Sequence, residues 1–262
     1  YKTGLHVPMI VRVPDKYQHL IKEKPGTKSN RMISFVDLAP TVLNLADLDV
    51  PEHMQGKAFL GEDLPEERQY MYASRSRADD VYDVSRAVLS DNFIYIRHYM
   101  PHRPYVPDAL IFSERKESFK ELHRLRKAGE LTGYASKFFQ PRPVEELYDL
   151  EKDPHELNNL ADSPDYQEEL ENMRSRLKDK ILSTRDIGFL NEAEMMLRAE
   201  GSTPFEYAQS NDYQLKEILN AAEMVGKSEM TTEQLMENLS DNDSGVRFWG
   251  LVGLIARHKQ VD

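Results

Sequence analysis

Arg97, His98, His102, Arg103 and Tyr105 gather in one short segment, FIYIRHYMPHRPY, residues 93–105. An arginine presents a planar fork of donors that fits a carboxylate or a sulfate. A histidine adds positive charge only near or below a pH of about 6.5. The chemistry such a set could do is recognition of an anion. The plain alternative is that Arg97 pairs with a surface carboxylate and the histidines are solvated or cap backbone. A second chemical candidate is EELYDLEKDPHELNNLADSP, residues 145–164, which concentrates carboxylates around His155. Aspartate, glutamate and histidine are ligands of divalent cations. Their spacing here favours structure instead. Glu146-Leu147-Tyr148-Asp149-Leu150 alternates roughly as a half-buried strand does. Asp153-Pro154 then starts a turn in which the aspartate can accept bonds from the following amides, and Asn158 and Asn159 tolerate tight or left-handed backbone.

Elements must position these residues. Leu5 to Val13 is a β-branched run of strand type, with Pro8 at an edge or bend. Residues 15–30 read as loop. Ser34 to Ala46 reads as a helix capped by Ser34 or Asp37, with Pro40 in its first turn and Leu38, Val42, Leu45 and Ala46 on one apolar face. A hairpin is expected from 85–89 through Ser90-Asp91-Asn92 to 93–99. An irregular stretch follows to about residue 111, then a basic helix from about Ser118 to Ala128, whose 123–127 run reads as a solvated face. Tyr166, Leu170, Met173, Leu177 and Ile181 mark an amphipathic helix. Beyond about residue 185 the pattern is all-helical. Leu215, Ile218, Leu219, Ala222 and Val225 mark one helix, Thr232 to Leu239 a second and Ser244 to Ala256 a third, with Trp249, Met195 and Met196 in the core. LSDNDSGVRFWGLVGL is similar to a HEAT-type repeat.

Composition narrows the function classes. The chain has 262 residues, 40% hydrophobic and 30% charged, which is globular composition. The formal charge of −11 argues against a general nucleic-acid binder, but an anionic small substrate needs only a local cluster of cations. There is no cysteine, hence no disulfide, thiolate nucleophile or cysteine-held zinc. No apolar run approaches the ~18 residues of a membrane-spanning helix. The start, Tyr1-Lys2-Thr3-Gly4, and the unstopped helical pattern at the end are those expected of an internal piece of a longer protein.

GLHVPMIVRVP, SFVDLAPTVLNLA, FIYIRHYMPHRPY and EELYDLEKDPHELNNLADSPDY occur in the order and spacing of the C-terminal half of type I sulfatases, in the alkaline phosphatase superfamily. The last two segments most resemble the branch that includes heparan N-sulfatase, and the resemblance spans roughly residues 1–185. It implies an α/β fold: the end of a large mixed sheet in residues 1–65, a small antiparallel C-terminal subdomain with a packing helix in 66–187, and an all-helical, HEAT-like tail in 188–262. It implies a formylglycine, made within a Cys/Ser-x-Pro-x-Arg motif, and a divalent cation, usually calcium, that polarises the sulfate. This chain departs from that motif. Its nearest serine version, Ser202-Thr203-Pro204-Phe205-Glu206, has glutamate where arginine is needed. The nucleophile, the acidic calcium ligands and the sulfate-contacting lysine are therefore expected upstream of Tyr1, and Lys2 is not that lysine. The chain by itself is expected to hydrolyse no sulfate ester.

The resemblance also implies a sulfated carbohydrate substrate and a periplasmic or secreted location. On it, Arg103, His102, Arg97 and His98 become candidates for contact with the sugar's fixed charges, Tyr105 for stacking on a ring, and His6, where the family often has arginine, for a place near the catalytic lysine. The helical tail offers a surface for a protein partner or self-contact. Two other readings stay open: a phosphodiesterase or phosphonate hydrolase of the same superfamily, and a non-catalytic helical-repeat interaction protein on a sulfatase-like scaffold.

Overall fold

Four strands form one sheet: β1 (Met71–Ala78), β2 (Val81–Leu89), β3 (Phe93–His98) and β4 (Glu145–Asp149). The strands lie in the order β1-β2-β3-β4. β3 and β4 are antiparallel, with Phe93 opposite Asp149 and Arg97 opposite Glu145. The computed structural model describes residues 1–78, 80–107 and 115–261. The chain divides into two units, one of residues 1–71 with 89–91, the other of 72–88 with 92–262.

In the first unit a 3₁₀ turn, Phe35–Asp37, leads into the helix Leu38–Leu45, and Ser34 with Asp37 forms a capping box. Buried Asp37 also accepts from Lys57 N at 2.8 Å and from both guanidinium nitrogens of Arg68. The expected apolar face of this helix is not its buried one. Leu38, Val42 and Leu45 are exposed, and the residues turned inward are Asp37, Pro40 and Thr41. Hydrogen bonds decide this: Thr41 Oγ1 accepts from Phe59 N at 3.1 Å, and Asn44 Nδ2 donates to the carbonyls of Leu60 and Glu62. The strand expected at residues 5–13 is also absent. Lys2–Leu5 is a short helix, residues 6–14 run without regular structure, and Ile10 is 95% exposed. A β-branched run becomes a strand only when a neighbour completes its ladder, and residues 1–70 contain no strand.

The second unit holds the sheet. Successive strand residues face opposite sides, so Asp83 and Ser85, Ile94, Ile96 and His98, and Glu146 and Tyr148 share one face. Val84, Arg86 and Val88, Tyr95 and Arg97, and Glu145 and Leu147 share the other. That second face is covered by the helix Gln167–Thr184, which buries Leu170, Met173, Leu177 and Ile181, the spacing read from the sequence. Arg174 pairs with Glu145 at 2.5 Å, and Arg86 pairs with Asp186 at 2.6 Å. Arg185 ends the helix in left-handed backbone, φ 52°, and its guanidinium donates to the carbonyls of Ala208, Ser210 and Tyr213.

Beyond it the helices Leu215–Met224, Thr232–Glu237 and Ser244–Val261 fall where expected. Leu215, Ile218, Leu219, Ala222 and Val225 are buried, as is Trp249. Met196, expected in the core, is 63% exposed. The basic helix is Glu117–Lys127. Part of the expected irregular stretch, 108–111, lies outside the described residues.

The 145–164 segment is a strand that runs into a turn, as its spacing predicts, but its strand is not half-exposed: all but Glu145 are buried. Asp153 Oδ2 accepts from the amides of Leu157 and Asn158 at 2.7 and 2.8 Å. The left-handed residue is Glu156, φ 56°, rather than an asparagine. Asn159 instead turns back on β4: its Oδ1 accepts from Leu147 N at 2.9 Å and its Nδ2 donates to Glu145 O at 2.9 Å. Leu160 N donates to Leu147 O, and Asp153 N to Asp149 O, both at 2.8 Å.

Candidate functional site

The sheet face opposite the helix ends in charge. Arg142 sits between Pro141 and Pro143, just before β4. Its guanidinium meets Asp83 with both nitrogens, at 2.8 and 2.6 Å, and both side chains are almost wholly buried. Nη1 also reaches Ser85 Oγ and His98 Nδ1, each at 3.2 Å. A guanidinium can only donate, so His98 Nδ1 is the acceptor and its proton sits on Nε2. Nε2 then donates to Glu146 Oε1 at 3.1 Å. The hydroxyl of Tyr105 donates to the same oxygen, and that of Tyr148 to Oε2 at 2.8 Å. One buried carboxylate thus accepts from three side chains.

These bonds set the protonation states. Burial lowers the His98 imidazole from its ordinary 6.5; Glu146 pulls it back and the Arg142 charge pushes it further down. Burial alone would raise Glu146 and Asp83, but hydrogen bonds from His98, Tyr105 and Tyr148 in the first case, and from Arg142 in the second, leave both below their ordinary values. His98 is therefore neutral and both carboxylates are charged. Stability linked to His98 is complete above pH 6.5 and is lost as pH falls from there to its lower folded-state value. The share of Glu146 and Asp83 is lost only as pH falls below 4.5 and 3.8. The thermal midpoint should decline in two stages between pH 7.5 and 3.5, and His98→Asn should remove the first. A midpoint that stays flat from pH 7 to 5 in the wild-type chain would show that His98 is not held neutral.

Residues 100–107 cross this network without regular structure. Arg103 N donates to Met100 O at 3.1 Å, closing a turn that presents His102 and Arg103, both half-buried. Arg103 Nε is buried with no hydrogen-bond partner among the described residues. Of the candidates read from the sequence, His98, Tyr105, His102 and Arg103 come together here. Arg97 points to the other face, where its guanidinium donates to the carbonyls of His98, Val144, Glu223 and Val225. Glu223 and Val225 end the helix Leu215–Met224, where a cation suits the carbonyl end of the dipole. His6 is exposed in the first unit, its amide bonded to Lys2 O at 2.7 Å. Among the described residues no group of three or more His, Cys, Asp or Glu is arranged to hold a metal ion. Asp83, Arg142 and Glu146 were not legible as partners, because nothing in the sequence links positions so far apart.

The family model described as "N-sulphoglucosamine sulphohydrolase, C-terminal" matches residues 1–106. Over 197 residues the chain is 39% identical to an ulvan-active sulfatase of Formosa agariphila, covering 75% of this chain and 32% of that protein. The likeness is thus to sulfatases, and over residues 1–106 to the C-terminal part of one. The sulfatase likeness extends to N-sulphoglucosamine sulphohydrolase of Homo sapiens, 25% identical over 203 residues, or 71% of this chain and 38% of that protein. The chain therefore spans about a third of the length of the curated sulfatases it matches. A solved 2-O GAG sulfatase is 24% identical, with a TM-score of 0.37, over 57% of this chain and 25% of that one.

Proposed function

We propose that this chain is the C-terminal portion of a sulfatase that hydrolyses sulfate esters or sulfamates of carbohydrates, and that its turn at residues 100–105 contacts the saccharide beyond the scissile sulfate. The observation that supports the reading is a turn bearing His102 and Arg103 on a buried, hydrogen-bonded network around the Asp83–Arg142 ion pair and Glu146, within sequence 39% identical to an ulvan-active sulfatase. Loops fixed on a rigid scaffold are where binding residues concentrate. The residues that hold formylglycine and calcium, and those that attack sulfur, belong to the parent outside these positions. His98 supports the turn from within, whereas Arg97, on the other face of the sheet, holds the end of the helix Leu215–Met224; His6 is proposed as a substrate contact on the family resemblance alone. Export to the periplasm or outside the cell goes with the family.

The test is Arg103→Ala in the parent sulfatase, assayed on a sulfated ulvan oligosaccharide and on 4-nitrophenyl sulfate. Loss of one charge-assisted contact should cost about 1.5–3 kcal/mol, roughly ten- to hundredfold in kcat/KM, on the saccharide alone. A rise confined to KM marks uniform binding; a fall in kcat marks a contact that tightens in the transition state. His102→Ala should act in the same direction more weakly. Equal losses on both substrates would refute a saccharide-specific role.

A further inference from the structure

We infer that Arg142 and Glu146 are positioning residues that set the selectivity of the 100–105 turn for a sulfated saccharide; the inference rests on the reading that this turn touches substrate. Arg142 holds the turn from beneath at successive points. Its Nε donates to Arg103 O at 2.9 Å, its Nη2 to Met100 O at 2.9 Å, and its own amide to Pro101 O at 2.8 Å. The other N–H directions go to Asp83, Ser85 and His98. All five donors of the guanidinium are thereby directed, and the ion leaves the turn no second arrangement that satisfies the same carbonyls. The prolines on either side fix the backbone that bears Arg142, and Pro104 bridges to Pro141. At the far end of the turn the Tyr105 hydroxyl is held by Glu146, and its ring meets His98 edge-on at 6.0 Å. The Tyr105 side chain is therefore committed to Glu146, while His102 and Arg103 are the half-buried polar pair at the middle of the turn.

A lysine at 142 keeps the charge opposite Asp83 but lacks the planar fork, so it releases at least one of the two carbonyls that the guanidinium holds. Tyr105→Phe keeps the ring and removes only the hold by Glu146. The experiment uses the parent sulfatase as wild type, Arg103→Ala, Arg142→Lys, Tyr105→Phe and the double variant Arg103→Ala/Arg142→Lys. Each is assayed on the ulvan oligosaccharide and on 4-nitrophenyl sulfate, with circular dichroism as the check on folding. Arg142→Lys is expected to lose about tenfold in kcat/KM on the saccharide, and Tyr105→Phe about threefold, with turnover of the aryl sulfate unchanged. Arg103→Ala should cost clearly less in the Arg142→Lys background than in wild type, because a displaced arginine has less to lose. A purely structural role would lower both substrates together and leave the Arg103 loss the same in either background; that result overturns the inference. So does a selective loss on Arg103→Ala with none on Arg142→Lys or Tyr105→Phe. If Arg103→Ala itself loses nothing on the saccharide, the reading of the turn as a contact fails first. Should Arg142→Lys not fold, Tyr105→Phe decides: a folded variant with wild-type selectivity sinks the inference.

Discussion

Trp249→Ala is expected to destabilise the chain by about 3–5 kcal/mol, among the largest losses any single substitution can produce here. Trp249 is the one tryptophan of the chain and is fully buried. It comes from the helix Ser244–Val261, and its Nε1 donates to Phe189 O at 2.8 Å. Its ring lies 6.2 Å from that of Tyr99, which follows β3, and 6.1 Å from Phe189; Tyr99 and Phe189 meet edge to face at 4.8 Å. Removing it opens a cavity at the junction of sheet and tail and leaves a buried carbonyl without its donor. Urea midpoints followed by far-UV circular dichroism measure the loss, since the variant has no tryptophan fluorescence. A loss under about 1 kcal/mol would mean that the last helix and the sheet unfold independently.

Asp83→Ala should cost a similar amount, about 3–5 kcal/mol, because it strands Arg142 as a buried charge without its counter-ion. The companion double variant Asp83→Ala/Arg142→Met should recover much of that loss by removing the orphaned cation as well. Urea midpoints of the two single variants and the double give the coupling. Strict additivity would show that the two side chains do not act as a pair. The pair is not needed for burial as such, since apolar side chains of similar size could fill the same volume; what an apolar side chain there cannot do is hold the carbonyls of Met100 and Arg103, which the guanidinium does.

What the sequence revealed and what it hid follow one rule. Periodicity showed the elements whose burial is apolar. Leu170, Met173, Leu177 and Ile181 named the buried face of their helix, and Leu215 through Val225 named another. It misled where hydrogen bonds choose the inner face, as with Thr41 and Asn44, where polar groups turn toward the 57–62 segment and Val42 stays outside. It failed on β1, whose run Tyr72-Ala73-Ser74-Arg75-Ser76-Arg77 has little apolar content and is a strand only through its neighbour β2. The candidate site was legible in its presented half. Arg103 and His102 stood out because an arginine, a histidine and a proline sit together after a strand. The supporting half was hidden, because Asp83, Ser85 and Glu146 sit at alternating positions that a binary pattern assigns to solvent. Only the sheet brings residues 83, 98, 142 and 146 side by side.

β4 ends the sheet, and the way its outward backbone groups are occupied bears on how the chain behaves when crowded. A terminal strand ordinarily offers a free ladder to any extended chain it meets, which is the route to edge-to-edge aggregation. Here the carbonyls of Glu145, Leu147 and Asp149 and the amide of Leu147 are taken by Asn159, Leu160 and Asp153 of the same segment. Asp153 and Asn159 thus act as a built-in cover, closing the border against β-augmentation with chemistry too short-range for a partner strand to displace piecemeal.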